Sequence, residues 1–287
     1  MSAQAYHFNG DKLKPLPPAA AEGEQPVQPV VIALCGTFNP MHTAHICMYN
    51  AAKAALTEST ATDPSQRRFA VLGGYVSPVH DEYNKKGLHS FAERAEVADL
   101  CAASHAELAV DRWEGLQPHY VRTFYVLEQL EASVQQWYAA REPEAVAQLQ
   151  KAGLHVRVVF ACGGDLFSSF FVEGCWPLNL LQRLLDNFFV VVLQREGQHD
   201  IGTEAAYLRH AQSHPPMSQV VEGTTFTLDL SKYKFYFGAF ASPNNTSSTA
   251  VRAIASSSDS AEEKRAKLKD MIPENAITFV LEHYGRA

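Results

Sequence analysis

The sequence has no long apolar run, no closely spaced cysteine pair and no surplus of positive charge. None of its apolar runs approaches the roughly 20 residues that a helix needs to span a bilayer. Its five cysteines are scattered without a CxxC pair, so no disulfide framework is expected. Lys and Arg total 24 against 31 for Asp and Glu, which disfavours a nucleic-acid or anionic-membrane partner. We therefore expect neither nucleic-acid binding nor membrane association.

Several common ligand-binding motifs are missing as well. No GxGxxG or GxxxxGK[ST] string follows the first predicted strand, and Gly163-Gly164 is only a fragment of one. His42, His45 and Cys47 lack a convincing fourth ligand for zinc, so no protein-held metal site is predicted. No signal-peptide pattern is present, and with the scattered cysteines this favours an intracellular location. We expect the cytoplasm, with the nucleus as the alternative.

The chain has the composition of a globular protein with a leader. Hydrophobic residues make up 46% of the 287 residues and charged residues 19%, which excludes a fibre or a disordered chain. Residues 9–29 contain five prolines, so residues 1–29 are predicted to form a flexible leader. A single domain is predicted over residues 30–287. The sequence does not determine the oligomeric state, and a homo-oligomer stays open.

Strand and helix patterns alternate along the predicted domain. Apolar, β-branched runs typical of buried strands begin at residues 30–35 and recur at 69–76, 107–110, 155–161, 187–194 and 233–240. Helical patterns lie at residues 43–56, 91–103, 120–140, 143–153, 248–255 and 274–284. This alternation predicts a Rossmann-like, doubly wound α/β fold whose mostly parallel sheet has helices on both faces. Residues 57–68, 195–225 and 256–261 are predicted loops. Ligands of such folds bind at the carboxyl ends of the strands.

The strongest chemical signal follows the first predicted strand. Gly36 lets a phosphate approach the backbone, and the next helix adds its positive N-terminal end. His42 and His45 are three residues apart at the start of that helix, so they share one face. Imidazole is a donor that can stabilise charge growing on a phosphoryl oxygen. The string therefore predicts a polyphosphate site.

Two further segments carry candidate ligand contacts. Ser247, Ser248 and Thr249 can cap the start of a helix, and Arg252 lies one turn beyond Ser248 on the same face. This arrangement predicts a second anion site, and a plain capped helix is the alternative. In a loop after a short strand, an aromatic ring at residue 113 could stack on a pyridine or purine, or it could belong to the core.

Five motifs together resemble the eukaryotic-type nicotinamide mononucleotide adenylyltransferases of the GxFxPxHxxH nucleotidyltransferase superfamily. The first is Gly36 to His45. The others follow in family order at residues 77–79 with 85–88, at 110–117, at 162–165 and at 246–252. Gly73 stands where this family has a lysine on the second strand, so one phosphate-binding cation of the family is missing there.

The resemblance implies transfer of the adenylyl group of ATP to the phosphate of nicotinamide mononucleotide, giving NAD and pyrophosphate, with nicotinic acid mononucleotide as a further substrate. Mg²⁺ would be bound mainly through the ATP phosphates. The implied catalytic residues are His45, His42 and Arg252. The implied ATP-binding residues are Gly36, Thr37, Phe38, His45, Gly163, Asp165, Asn244, Ser247, Ser248, Thr249 and Arg252. The implied mononucleotide-binding residues are Thr37, Phe38, Trp113, Glu114, Leu116 and Trp176.

Two other functions stay open at this point. One is a nucleotidyltransferase of the same fold that acts on another phosphate acceptor. The other is a non-catalytic, chaperone-like protein that binds NAD or ATP. The second function is disfavoured by the presence of His42, His45, Ser248 and Arg252, because a protein that had lost its enzymatic activity would not need to keep them.

Overall fold

A parallel sheet forms the centre of the protein. The computed structural model describes residues 6–20, 23–62, 67–196, 201–242 and 246–285. Its strands are β1 (Val27–Gly36), β2 (Arg68–Pro78), β3 (Leu108–Val110), β4 (Arg157–Gly163), β5 (Phe189–Arg195), β6 (Met217–Val221), β7 (Thr224–Leu228) and β8 (Tyr236–Phe240). Six of them form a sheet in the order β3-β2-β1-β4-β5-β8. Every neighbouring pair in this sheet is parallel, and β6 pairs with β7 in a separate antiparallel hairpin.

Helices cover both faces of the sheet. They are α1 (Thr43–Thr62), α2 (Phe91–Ala103), α3 (Thr123–Arg141), α4 (Pro143–Lys151), α5 (Gly164–Ser168), α6 (Leu178–Asn187), α7 (Glu204–Ser213), α8 (Ser248–Ala255), α9 (Ala261–Leu268) and α10 (Glu274–Tyr284). Alternate residues of β1 pack into two separate apolar cores. Val30, Ile32 and Leu34 join α1, α2, α8 and α10 on one face. Val31 and Ala33 join α3, α5 and α6 on the other face. The predicted doubly wound α/β fold is confirmed.

Strand order reverses between β1 and β4. The chain goes from β1 outward to β2 and β3, then returns to β4 and continues to β5 and β8 on the opposite side. The connections after β1 and β4 therefore leave the sheet in opposite directions and open a crevice at their carboxyl ends. No described helix is both long and apolar enough to cross a bilayer.

Part of one predicted loop is structured. Residues 195–225 contain α7, β6 and the first two residues of β7, so most of the β6-β7 hairpin lies in the predicted loop. Val220 on this hairpin is exposed, whereas Met217 and Leu228 are buried against the second core. Strands β6 and β7 are only five residues long. Their alternation of apolar and polar residues was too short to predict them from the sequence. Helix α6 was also missed, although Leu178, Leu181 and Leu184 all lie on its buried face.

The N-terminal segment differs from the predicted flexible leader. Residues 6–16 pack on β2, β3 and α3. The Tyr75 hydroxyl donates to the Asn9 carbonyl at 2.9 Å, and the Tyr138 hydroxyl donates to the Lys14 carbonyl at 2.5 Å. At Gly10 a Cβ would lie 2.2 Å from the Trp137 indole, so only glycine fits without displacing the ring. In addition, β1 begins at Val27, inside the predicted leader.

This packing leaves little room for a side chain at Gly73, the position at which the resemblance predicts a lysine. A Cβ on Gly73 would lie 3.3 Å from both Leu13 Cδ2 and the Glu107 carbonyl, and 3.5 Å from the Lys12 carbonyl. The N-terminal segment thus occupies the space that a longer side chain would need. The amine of Lys12 donates to the carbonyls of Ala102, His105 and Leu108 at 2.6, 2.8 and 2.9 Å.

We expect Lys12→Met to lower the free energy of unfolding by about 1–3 kcal/mol, because three partly buried carbonyls lose a charged donor. Urea unfolding followed by circular dichroism measures this change. Lys151→Met, at an exposed position of α4, is the matched control and should change stability by less than about 0.5 kcal/mol. Equal stabilities for the two variants would show that the lysine does not hold the segment in place.

Candidate functional site

The loop between β1 and α1 is fixed on both sides. Phe38 has a φ of 42°, in the left-handed region that non-glycine residues rarely adopt, and its buried ring lies 4.9 Å from the ring of His45. Asn39 donates through Nδ2 to the Gly87 carbonyl at 2.8 Å and accepts from His89 N at 3.1 Å. These two bonds join the loops that follow β1 and β2.

A buried arginine forms hydrogen bonds to the same two loops. Arg94 on α2 is 0% exposed. Its guanidinium donates to the carbonyls of Thr37 at 2.9 Å and Val79 at 2.7 Å, and its Nε donates to the His89 carbonyl at 2.8 Å. Asp81 completes an ion pair with it at 3.0 Å. Sequence reasoning missed Arg94, since nothing in a helical pattern marks one polar residue as buried.

The two predicted histidines lie together at the start of α1. His45 Nδ1 accepts a hydrogen bond from the His42 backbone N–H at 3.2 Å, and the two ring centroids are 3.9 Å apart. Burial lowers the pKa of His45 to about 4 and that of His42 well below its usual value. His45 is therefore neutral near pH 7. Because its Nδ1 accepts, its Nε2 carries the proton and is the donor of the ring.

A further cation lies close to this pair. After burial, the positive charge of Arg195 contributes most to the lowered pKa of His45, and it also lowers the pKa of His42. Arg195 is the last residue of β5, so its position at a carboxyl strand end could have marked it as a site residue. It was missed because it was assigned to a predicted loop.

The second predicted anion element is joined to the first. Ser247 caps α8 by accepting from Ala250 N at 3.2 Å. Ser248 Oγ donates to the Pro40 carbonyl at 2.9 Å. Arg252 donates through Nη1 to the Asn39 carbonyl at 2.6 Å and through Nη2 to the Thr249 hydroxyl at 3.4 Å. The predicted ATP-binding residue Asn244 lies outside the described residues.

A cavity of about 410 Å³ opens beside the loop, at the crevice between β1 and β4. Four of the predicted site residues line it, namely Gly36, Thr37, Glu114 and Trp176. Its wall also contains residues that sequence reasoning did not select, among them Cys35, Tyr83, Tyr120, Arg122, Ser169 and Cys175. The Trp176 indole is held by a hydrogen bond to Ser169 at 2.9 Å.

Five other predicted residues are not on the wall of this cavity. Phe38 is buried behind the loop, and Trp113 and Leu116 are half-buried in the turn that presents Glu114. Gly163 caps α5, and Asp165 is exposed in the first turn of that helix. Their ligand roles stay predictions.

Glu114 is a buried acid at the cavity wall. It is 3% exposed, and its Oε2 lies 3.4 Å from the Ser77 hydroxyl, which donates to it. Burial raises its pKa to about 8. The side chain is therefore largely protonated at neutral pH and can donate a hydrogen bond into the cavity.

A family model described as cytidylyltransferase-like matches residues 33–254 of the chain. The chain belongs to the cytidylyltransferase-like family. The matched range begins in β1, which leads into the two histidines, and ends in α8, which carries Arg252. The matched range therefore includes both predicted anion elements and the cavity between β1 and β4.

Curated relatives of the chain carry related names. The chain is 35% identical over 170 residues to the nicotinamide/nicotinic acid mononucleotide adenylyltransferase 1 of Saccharomyces cerevisiae, covering 59% of this chain and 39% of that protein. It is 34% identical over 172 residues to the enzyme of the same activity from Oryza sativa, covering 58% of this chain and 60% of that one. The matches thus span about two-fifths to three-fifths of these relatives.

One solved structure that resembles the chain is a Plasmodium falciparum nicotinic acid mononucleotide adenylyltransferase complexed with NaAD. It shares 14% identity at a TM-score of 0.48 and covers 89% of this chain and 95% of that one. The fold assignment rests on the strand order given above. Within the residues that the structure describes, no group of three or more His, Cys, Asp or Glu side chains could hold a metal ion.

We expect Glu114→Gln to stabilise the protein in alkali. Because the pKa of Glu114 is raised from 4.5 to about 8 on folding, the wild type loses stability as pH rises through this window. Glutamine cannot ionise, so the free-energy difference between the two proteins should grow by about 2–4 kcal/mol between pH 5 and pH 9. Urea unfolding at several pH values measures it. A difference in unfolding free energy that does not depend on pH would contradict a buried, protonated Glu114. The control is Glu262→Gln, a substitution at an exposed position.

Proposed function

We propose that the protein transfers the adenylyl group of ATP to the phosphate of nicotinamide mononucleotide, and also to that of nicotinic acid mononucleotide, with release of pyrophosphate. The amide substrate would give NAD. We place this activity inside the cell, in the cytoplasm. The names of the curated relatives support the reaction, and so does membership of the cytidylyltransferase-like family.

One observation carries the proposal. The histidine pair at the start of α1 and the Ser248–Arg252 element of α8 both bond within the loop after β1. This loop also forms part of the wall of the 410 Å³ cavity that Glu114 and Trp176 line. If a polyphosphate bound on the loop and a pyridine nucleotide bound in the cavity, the phosphates of the two ligands would therefore lie side by side.

For this reaction the protein has mainly to position the two substrates and to stabilise the negative charge that develops on the phosphates. The mononucleotide phosphate is already an anion, so it can attack the α-phosphorus of ATP without a strong general base. His45 Nδ1 accepts from the backbone, so its Nε2–H would be the group that donates to the α-phosphate as charge grows in the transition state. Arg252, Ser248 and the amides of the loop would hold the leaving phosphates. Mg²⁺ would be carried mainly by phosphate oxygens and water, as is usual for this ion.

The direct test incubates purified protein with ATP, Mg²⁺ and one of the two mononucleotides, then separates the products by chromatography. Adenylated product and pyrophosphate from either substrate support the proposal. Product from a different phosphate acceptor only would favour another transferase of the same fold. Binding of ATP or NAD with no product from any acceptor would favour a non-catalytic role.

We expect His45→Ala to lower kcat by about a hundredfold or more, by analogy with the loss of other transition-state donors. The KM for ATP should change less, because the imidazole acts mainly on charge that develops during transfer. Steady-state kinetics with saturating mononucleotide measures both values. His155→Ala, at an exposed position before β4, is the control. A kcat within about threefold of wild type would remove His45 from the catalytic role.

We expect Arg252→Ala to raise the KM for ATP by about tenfold or more, because a guanidinium contact to the leaving phosphates is lost. The Kd of NAD, which lacks those phosphates, should rise much less. Kinetics and calorimetric titration with NAD provide the two values. Arg265→Ala, at an exposed position of α9, is the control, and equal losses for ATP and NAD would contradict the assignment.

A further inference from the structure

One arginine contributes a positive charge to the wall of the 410 Å³ cavity. Arg122 directly precedes α3 and lies on the wall together with Thr123 and Phe124, the first two residues of that helix. Among the described residues of this wall, Arg122 is the one lysine or arginine. A guanidinium stays protonated throughout the physiological pH range, so its charge is a permanent property of the cavity.

The acid on the same wall does not offset this charge. Glu114 is the one aspartate or glutamate among the described residues that line the cavity. It is buried, and burial raises its pKa to about 8. Near pH 7 its carboxyl is therefore largely uncharged and can coexist with an anionic ligand.

Arg122 also forms no ion pair in the part of the chain that the structure describes. The carboxylates nearest to it along this stretch pair with other residues, Glu82 with His119 at 3.1 Å and Glu128 with Arg183 at 3.7 Å. The guanidinium carbon of Arg122 lies 5.7 Å from the centroid of the Tyr120 ring. Since a guanidinium has five N–H donors, one aromatic neighbour cannot accept all of them. Arg122 is exposed, so a ligand that enters the cavity can reach it.

The backbone at Arg122 is held on both sides. Its carbonyl accepts from Tyr125 N at 2.9 Å at the start of α3, and Tyr120 N donates to the Glu82 carboxylate at 3.0 Å. The ring centroids of Tyr120 and Tyr83 are 5.7 Å apart. Arg122 therefore has a fixed place on the wall, beside the loop that follows β2.

We propose that Arg122 is a substrate-binding residue that holds an oxyanion of the mononucleotide in this cavity. The inference rests on the proposed function and names a binding residue for it. The planar guanidinium pairs with phosphate and with carboxylate groups through two parallel hydrogen bonds. Nicotinamide mononucleotide carries one such group, its phosphate. Nicotinic acid mononucleotide carries the same phosphate and, in addition, the carboxylate on its pyridine ring.

The test compares Arg122→Gln in the full chain with the wild type on both mononucleotides, at saturating ATP and Mg²⁺. Glutamine keeps a polar side chain but removes the charge. We expect the KM for nicotinic acid mononucleotide to rise by about ten- to a hundredfold, the effect of losing a hydrogen bond between charged groups. The KM for ATP should stay within about twofold of the wild-type value.

The two mononucleotides show which oxyanion Arg122 binds. Equal increases in the two KM values assign it to the phosphate that both substrates carry. An increase confined to the acid, or much larger for it, assigns it to the pyridine carboxylate. Both results support the inference. Unchanged KM values for both mononucleotides would overturn it, and so would an increase for the amide alone, because the amide substrate has no oxyanion that the acid lacks.

Two further variants separate ligand binding from general loosening. Arg122→Lys keeps the charge but not the planar fork, so its mononucleotide KM should lie between those of the wild type and Arg122→Gln. Arg141→Gln is the matched control at the other end of α3, where the guanidinium lies 4.5 Å from the Trp137 ring, and every KM should stay unchanged. If Arg122→Gln raises the KM for ATP as much as that for the mononucleotides and lowers the Tm, loosening is the cause and the inference is wrong.

Failure of the proposed function would give a different result. A wild type that forms no product from ATP and either mononucleotide refutes the reaction and leaves the binding site to be tested directly. Calorimetric titration of the wild type and Arg122→Gln with each mononucleotide then decides the inference. Weaker binding by the variant supports it, whereas equal binding, or no binding by the wild type, overturns it.

Discussion

The guanidinium of Arg94 is a charge placed inside the protein, and the loops around the cavity depend on it. An isolated buried cation would be strongly unfavourable, so its donors must all find acceptors. It finds them in the carbonyls of Thr37, Val79 and His89 and in the carboxylate of Asp81. Because these acceptors lie in the connections after β1 and β2, satisfying one side chain fixes two loops relative to each other.

Much of the fold could be predicted from the sequence because it depends on local patterns. Continuous apolar runs marked the central strands, and the six-stranded parallel sheet agrees with their alternation with helices. The histidine pair was recognised from its place in the Gly36–His45 string and from its spacing, since residues three apart at a helix start share a face. Where the pattern was short, as in the five-residue strands of the hairpin at residues 217–228, the prediction of a loop was wrong.

The supporting contacts of the site could not be predicted in this way. Arg94 and Arg195 act on groups that are far away in sequence, and their own neighbours give no sign of it. The prolines near the start of the chain predicted a flexible leader. The segment at residues 6–16 is instead fixed by long-range hydrogen bonds and by the close contact of Gly10 with Trp137. Such contacts depend on the completed tertiary structure rather than on local propensity.

The uncharged state of the two histidines has a consequence for ligand binding. Because the pKa of His45 is held near 4 and the pKa of His42 lies well below its usual value, both imidazoles are neutral near pH 7. A polyanion placed beside them favours the protonated form and raises both pKa values. Binding would then take up protons from solution, so the measured heat of binding would depend on the ionisation enthalpy of the buffer. Affinity for the polyanion would likewise increase as the pH falls toward 6.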